Sequence, residues 1–312
     1  MKSHVKLIEV TRNSIVESEH FGSIVIDTHG LGQPEELMYP RSSLKLFQAA
    51  STLALGVELT PEQTAIAAAS HSGEGVHLEV VTGLLRHYGL SPTDLRCTPR
   101  LPLGTEPRNV ALRQGITENS LMSDCSGKHS AFLAACVVNN WPRDGYLDPG
   151  HPLQVAIRSN IESWLQIGIT VTGVDGCGAP VFAMSLVDLA RGFALALRSE
   201  SELGAVAKAM MAYPYLVGGA KRLATEVMQS LPGSIAKDGA EGVFVLAHPK
   251  TVVAIKVSDG SIRPHAPIVK RVLTRLGISA ELTSQTPLGG GNRVGELRLS
   301  AELSDFLSLR LQ

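Results

Sequence analysis

The chain has 312 residues, 44% hydrophobic and 18% charged, with a formal net charge of −1 and a mean hydropathy of +0.12. That length buries a core without disulfide or metal staples. No basic block or aromatic–basic interleaving is present, which argues against nucleic acid as a partner. The Ala-, Leu- and Gly-rich composition is compatible with a large subunit interface.

In chain order, Val5, Leu7 and Glu9 alternate as a strand does, and Ser23-Ile24-Val25-Ile26 is a β-branched run, with turns expected at Asn13 and around Gly22. Leu44, Phe47, Ala50 and Ala54 then take helical spacing. Thr60-Pro61-Glu62-Gln63 reads as a capping box with proline at the first helical position. Further helices are expected over His77–Tyr88, Ser130–Val138, Leu153–Leu165 and Val181–Leu197. Strands return at Gly242–Ala247 and Thr251–Val257, around the short turn His248-Pro249-Lys250. A last helix is expected near Pro267–Leu276, and Gly295–Leu299 is a candidate to rejoin the sheet. There is no internal repeat and no low-complexity linker.

The N-terminus lacks the long apolar stretch and cleavage site of a signal peptide. The most apolar helical stretch, 181–197, is interrupted by Asp188 and Arg191 and falls short of the ~20 apolar residues a membrane span needs. A cytoplasmic protein with no membrane partner is therefore expected. Its cysteines, Cys97, Cys125, Cys136 and Cys177, are then reduced, as buried or metal-bound thiols rather than disulfides.

Strands at both ends and helices between them imply an α/β (α+β) chain. One sheet is built from about 1–40 and 235–312, with a helical region of about 42–234 inserted, in a single catalytic domain. Serine β-lactamases and penicillin-binding transpeptidases share that organisation, and their nucleophile is the serine of S-x-x-K at a helix start. Ser42 and Lys45 have this spacing, and a helix brings i and i+3 to one face. The macrodipole at the helix start favours an alkoxide and a neutral lysine. The plainer reading makes Ser42 a helix cap. Ser234 and Lys237 have the same spacing, but a strand sends i and i+3 to opposite faces.

Other candidates carry a plain reading beside the chemical one. Ser70-His71-Ser72-Gly73-Glu74 is either a connector or a loop presenting a second hydroxyl. Asp124-Cys125-Ser126-Gly127-Lys128-His129 and Asp175-Gly176-Cys177-Gly178-Ala179-Pro180 each put a cysteine at the edge of an expected helix. Two such thiolates hold a soft or borderline metal, or are buried free cysteines. Lys237, ahead of Gly239, is either a solvated turn residue or the analogue of the β-lactamase K-T-G lysine. Gly289-Gly290-Gly291 lacks the fingerprint of a phosphate loop and reads as a turn or lid.

Together the blocks EVTRNSIVESEHFGSIVI, YPRSSLKLFQA, SHSGE, CSGKHSAFLAAC, GVDGCGAPVFAMSL and KDGAEGVFV resemble the rhizobial-type L-asparaginases, the asparaginase II family. The resemblance implies a fold similar to serine β-lactamases and glutaminases, and two Ser–Lys pairs, Ser42 with Lys45 and Ser70 with Lys237, with Ser72 the alternative to Ser70 as the second serine. It also implies zinc held by Cys125, Lys128 and Cys177, with Arg41, Asp175 and His129 binding the substrate. A homodimer is implied as well. In one departure Asp124 stands where the family leads us to expect asparagine. An added carboxylate there would tighten metal binding or change how substrate is oriented. The function implied is hydrolysis of L-asparagine to L-aspartate and ammonia. The alternatives are a serine-dependent glutaminase, a β-lactam or peptide hydrolase, or an inactive zinc-binding homologue.

Overall fold

The structure is a computed structural model that describes residues 4–310. In chain order its strands are β1 (Val5–Arg12), β2 (Ile15–Ile26), β3 (His29–Leu31), β4 (Thr172–Val174), β5 (Pro180–Phe182) and β6 (Ile235–Gly239). They continue as β7 (Val243–His248), β8 (Thr251–Val257), β9 (Leu288–Gly289), β10 (Asn292–Arg293) and β11 (Gly295–Leu299). The helices are α1 (Lys45–Ala54), α2 (Pro61–Ala67), α3 (Gly75–His87), α4 (Thr105–Arg113), α5 (Ser126–Val138) and α6 (Pro152–Leu165). After them come α7 (Leu186–Arg198), α8 (Glu202–Ala212), α9 (Pro214–Val217), α10 (Leu223–Ser230), α11 (His265–Arg275) and α12 (Ala301–Arg310).

The chain divides into two compact units. The first holds the chain up to Ser43, Met184–Ala194 and the chain from Glu226 onward; the second holds Leu44–Ala183 and Leu195–Thr225. The first unit carries an antiparallel sheet in the order β11-β1-β2-β8-β7-β6, with β3 paired to β2. N-terminal and C-terminal strands thus share one sheet, and the helical region is inserted between them in sequence. This is the mixed α/β class, and the organisation, expected of a β-lactamase-like chain.

Central strands β7 and β8 are apolar on both faces because both faces are covered. Val243, Phe244, Val245, Leu246, Val253, Ala254 and Ile255 are all fully buried. At the β1–β2 turn, Asn13 and Ser14 take φ of 45° and 72°, the paired left-handed conformation that matches strand twist. Gly22 makes no turn. It lies inside β2, opposite Val5 on one side and Val257 on the other.

In the second unit, α1 packs on α5, α6 and α8, so Lys45 through Thr52 are buried. The Thr60 capping box forms as expected: Thr60 Oγ1 accepts from the Gln63 N–H at 3.2 Å, and Gln63 Oε1 accepts from the Thr60 N–H at 3.1 Å. The helix expected over Val181–Leu197 begins later. Pro180–Phe182 pairs with Thr172–Val174 as a small hairpin, and α7 starts at Leu186. The Ser185 hydroxyl accepts the Asp188 N–H at 3.0 Å and caps that start. Among the described residues no helix is long and apolar enough to cross a membrane. All four cysteines are buried and free of disulfides.

Candidate active site

In the sheet unit, Arg41 opens the stretch 41–44 with φ of 51°, a left-handed conformation that strains a side chain of this size. The chain then makes a short 3-10 turn over Arg41–Leu44 before α1 begins at Lys45. Ser42 is half-buried within that turn. The N-cap of α1 is Leu44, with no side-chain cap bond, so Ser42 does not cap this helix. The neighbouring Ser43 is buried, and its hydroxyl donates to the Lys237 carbonyl at 3.5 Å.

Lys237 lies fully buried on β6, where its amine donates to the Asp238 carbonyl at 2.9 Å and sits 3.6 Å from Asp238 Oδ1. Gly239 lets β6 approach this turn. A Cβ there would stand 2.6 Å from the Pro40 oxygen and 3.2 Å from Ser43 Oγ. Arg41 Nη1 is 3.7 Å from Glu241 Oε1. The sheet unit therefore presents Arg41, Ser42 and Lys237 on one segment and the strand beside it.

In the helical unit, Lys45 is 1% exposed. Its amine donates to the Ala69 carbonyl at 2.7 Å, to Ser70 Oγ at 2.9 Å and to the Asp124 carbonyl at 3.3 Å, and lies 3.7 Å from Asp124 Oδ2. Burial alone would lower its pKa, but the negative charge carried by the Cys125–Cys177 pair and by Asp124 outweighs burial and raises it. Three acceptors around the amine suit an ammonium with three protons. Ser70, rather than Ser72, is the serine on this lysine. The Ser72 hydroxyl donates to the Gly218 carbonyl at 2.9 Å, and Arg222 Nη1 donates to the Ser70 carbonyl at 3.3 Å.

Helix α5 begins at Ser126, one turn earlier than the apolar spacing suggests, so Lys128 and His129 lie on its first turn and Cys125 just ahead of it. Gly127 permits this placement: a Cβ there would overlap the Ile66 carbonyl at the end of α2. Cys177 lies in the tight turn joining β4 to β5, not at a helix edge. That turn is closed by Gly178 N–H to Asp175 O at 2.8 Å, with Gly178 at φ of 89°.

Lys128 Nζ stands 3.2 Å from Cys177 Sγ, Asp175 Oδ2 is 3.9 Å from that sulfur, and Asp124 Oδ2 is 3.6 Å from Cys125 Sγ. The two thiols are pushed in opposite directions. A hydrogen bond from Cys125 and the Lys128 charge hold Cys177 down as a thiolate, while the same bond and burial push Cys125 up. Burial would lower the Lys128 pKa, but the Cys177 and Cys125 charges raise it, so Lys128 is an ammonium paired with a thiolate. Among the described residues no three His, Cys, Asp or Glu side chains converge on one point. A metal here would need the Lys128 amine as third donor. Two sulfurs and an amine nitrogen form a set that fits a borderline dication such as zinc, once the lysine has lost its proton.

His129 Nδ1 is 2.7 Å from the Tyr146 hydroxyl, and its buried Nε2 lies on the Cys177 side of the ring. Tyr146 carries no sequence signal that separates it from a core aromatic. The same is true of Arg222, and of His71, whose Nε2 is 2.9 Å from Ser126 Oγ and which ties the Ser70 loop to α5. Asp175 and His129 thus lie beside the thiols in the helical unit, while Arg41 belongs to the sheet unit.

A model of the L-asparaginase II family matches residues 8–298. The chain belongs to that family, and with it to the amidohydrolases. No curated protein matches it in sequence. Among solved structures, one from Bacteroides dorei DSM 17855, described as a candidate beta-lactamase, is 14% identical, covers 86% of this chain and 92% of its own, and superposes with a TM-score of 0.41.

Proposed function

We propose that the protein hydrolyses L-asparagine to L-aspartate and ammonia through an ester on Ser42. The observation that carries this reading is membership of the L-asparaginase II family over nearly the whole chain. Three features support the residue roles. Ser42 is accessible on a strained turn, Lys45 follows it by three positions, and the Lys45 amine is buried against Ser70.

Ser42 Oγ attacks the side-chain amide carbon as Lys45, in its neutral form, takes the hydroxyl proton. The amide C–N bond then breaks, and the leaving nitrogen takes a proton to depart as ammonia. Water hydrolyses the resulting β-aspartyl ester and frees Ser42. Backbone N–H groups of the 3-10 turn stabilise the oxyanion. Ser70, bound to Lys45, relays its proton, and Lys237 serves as a second cation near the turn. Arg41, Asp175 and His129 bind the substrate's charged ends.

Cys125, Lys128 and Cys177 would hold zinc, which when bound supplies positive charge that orients the substrate. A homodimer in the cytoplasm is the expected setting. The test is ammonia release from L-asparagine compared with L-glutamine. Faster release from asparagine is expected, and a preference for glutamine would overturn the assigned substrate.

A further inference from the structure

We propose that Glu241 is a specificity-determining residue that receives the α-ammonium of the substrate, beside an Arg41 that receives its α-carboxylate. On the asparaginase reading, on which this rests, the ligand is an α-amino acid. Both residues lie in the sheet unit. A Cβ on Gly239, at the end of β6, would stand 2.6 Å from the Pro40 oxygen, so the β6–β7 turn runs against the segment that carries Arg41 and Ser42. Across this approach Glu241 Oε1 is 3.7 Å from Arg41 Nη1.

Stability does not account for the pair. Glu241 takes φ of 60° and Arg41 φ of 51°, a left-handed backbone that suits Gly or Asn and strains longer side chains. The Glu241 side chain is 66% exposed and that of Arg41 23%, and an ion pair so open to solvent returns little. Each residue thus spends conformational energy to present a charge, and the two charges are opposite.

The turn itself is pinned. Lys256 Nζ donates to the Glu241 carbonyl. The Gly242 carbonyl accepts the Val257 N–H at 2.9 Å and lies 3.1 Å from His265 Nε2. Gly260 leaves room for the second carboxylate oxygen, since a Cβ there would stand 2.9 Å from Glu241 Oε2. The carboxylate therefore projects from a fixed backbone, one oxygen toward Arg41 and the other over Gly260.

An α-amino acid matches such a pair. Its ammonium nitrogen and carboxylate carbon are about 2.5 Å apart, held by one tetrahedral carbon. A receptor for both needs an anion and a cation side by side. In the free protein Arg41 and Glu241 face each other. In the complex the substrate carboxylate accepts from Arg41, and its ammonium donates to Glu241. With both α-groups held by the residue before Ser42 and its partner, the side-chain amide is the part left for the nucleophile.

The experiment measures dissociation constants of L-aspartate and succinate by calorimetry, together with kcat and KM for ammonia release from asparagine. Succinate is aspartate without the ammonium. Wild type is expected to bind L-aspartate about ten- to hundredfold more tightly, the worth of one charged hydrogen-bonded contact. Glu241→Asn should erase that preference and raise KM for asparagine by a similar factor, with kcat changed less. Asn suits the left-handed turn, so the melting temperature should hold or rise. Glu241→Asp, which keeps the charge, should retain more of the preference than Glu241→Asn. A wild type that binds succinate as tightly as aspartate overturns the proposal whether or not any variant folds. So does a folded Glu241→Asn that weakens both ligands equally, which would leave Glu241 only holding Arg41 in place. A wild type that releases no ammonia, yet loses its preference for aspartate with Glu241→Asn, would overturn the asparaginase reading and leave the ammonium site standing.

Discussion

Asp124→Asn is the most informative single substitution in the helical unit. It removes the carboxylate whose Oδ2 lies 3.7 Å from Lys45 Nζ and keeps the backbone carbonyl that also binds this amine. Two unit charges at that separation attract by roughly 4 kcal/mol at an effective dielectric of about 20. The Lys45 side chain is 1% exposed and that of Asp124 17%, so solvent screens the pair little. Even a third of that attraction corresponds to about tenfold in the ratio of ammonium to neutral amine. Because Asp124 favours the charged form, its loss favours the base form that the mechanism requires. The assay is kcat/KM for ammonia release from asparagine across pH. The rising limb should move to lower pH, and the rate at neutral pH should rise up to about tenfold. An unmoved limb in a variant of unchanged thermal stability would refute Lys45 as the base.

Gly127→Ala should cost about 1–3 kcal/mol of stability, because α5 must retreat from the Ile66 carbonyl, and chemical denaturation measures the loss. The same retreat moves Cys125 and Lys128, so metal affinity measured with a zinc chelator should fall too. Stability should also decline on acidification. Burial holds His265 near 4 against an ordinary 6.5, so it stays neutral in the folded protein while the unfolded chain takes up a proton. The contribution is present above about 6.5, is lost as pH falls toward 4, and amounts to about 3 kcal/mol. His265→Gln, which retains a donor for the Gly242 carbonyl, should flatten the profile of stability against pH, and an unchanged profile would exclude this histidine as a source. Zinc uptake should release protons and tighten as pH rises, since Lys128 and Cys125 must both give one up. Affinity independent of pH would remove Lys128 from the ligand set.

The parts of this molecule legible in the sequence are those whose causes lie close along the chain. The Thr60–Gln63 box joins residues three apart, and the β7–β8 hairpin turns within a few residues, so local chemistry specifies both. The sheet's joint use of both termini followed from the order of strand and helix patterns. The stretch 181–197 was misleading because a short apolar run satisfies helix and strand periodicity alike. What settles it is pairing of Pro180–Phe182 with Thr172–Val174, followed by the Ser185 cap.

Within the candidate site, the spacing of Ser42 and Lys45 marks a lysine worth attention but not its partners. The hydroxyl on the Lys45 amine comes from Ser70, 25 residues away, and the carboxylate from Asp124. The Arg96–Tyr146–His129 chain is invisible in the sequence for the same reason. Its members lie 50 and 17 residues apart, and a tyrosine in contact with a histidine has no spacing of its own.

The central claim is that Ser42 carries the acyl group, and trapping the ester tests it most directly. Wild-type protein is mixed with L-asparagine, quenched in acid and digested, and the peptide containing Ser42 is weighed by mass spectrometry, with ammonia release followed in parallel for Ser42→Ala. The account predicts a β-aspartyl adduct on Ser42 in wild type and loss of nearly all turnover in Ser42→Ala. A Ser42→Ala protein that keeps most of its ammonia release would contradict it and move the nucleophile elsewhere in the chain.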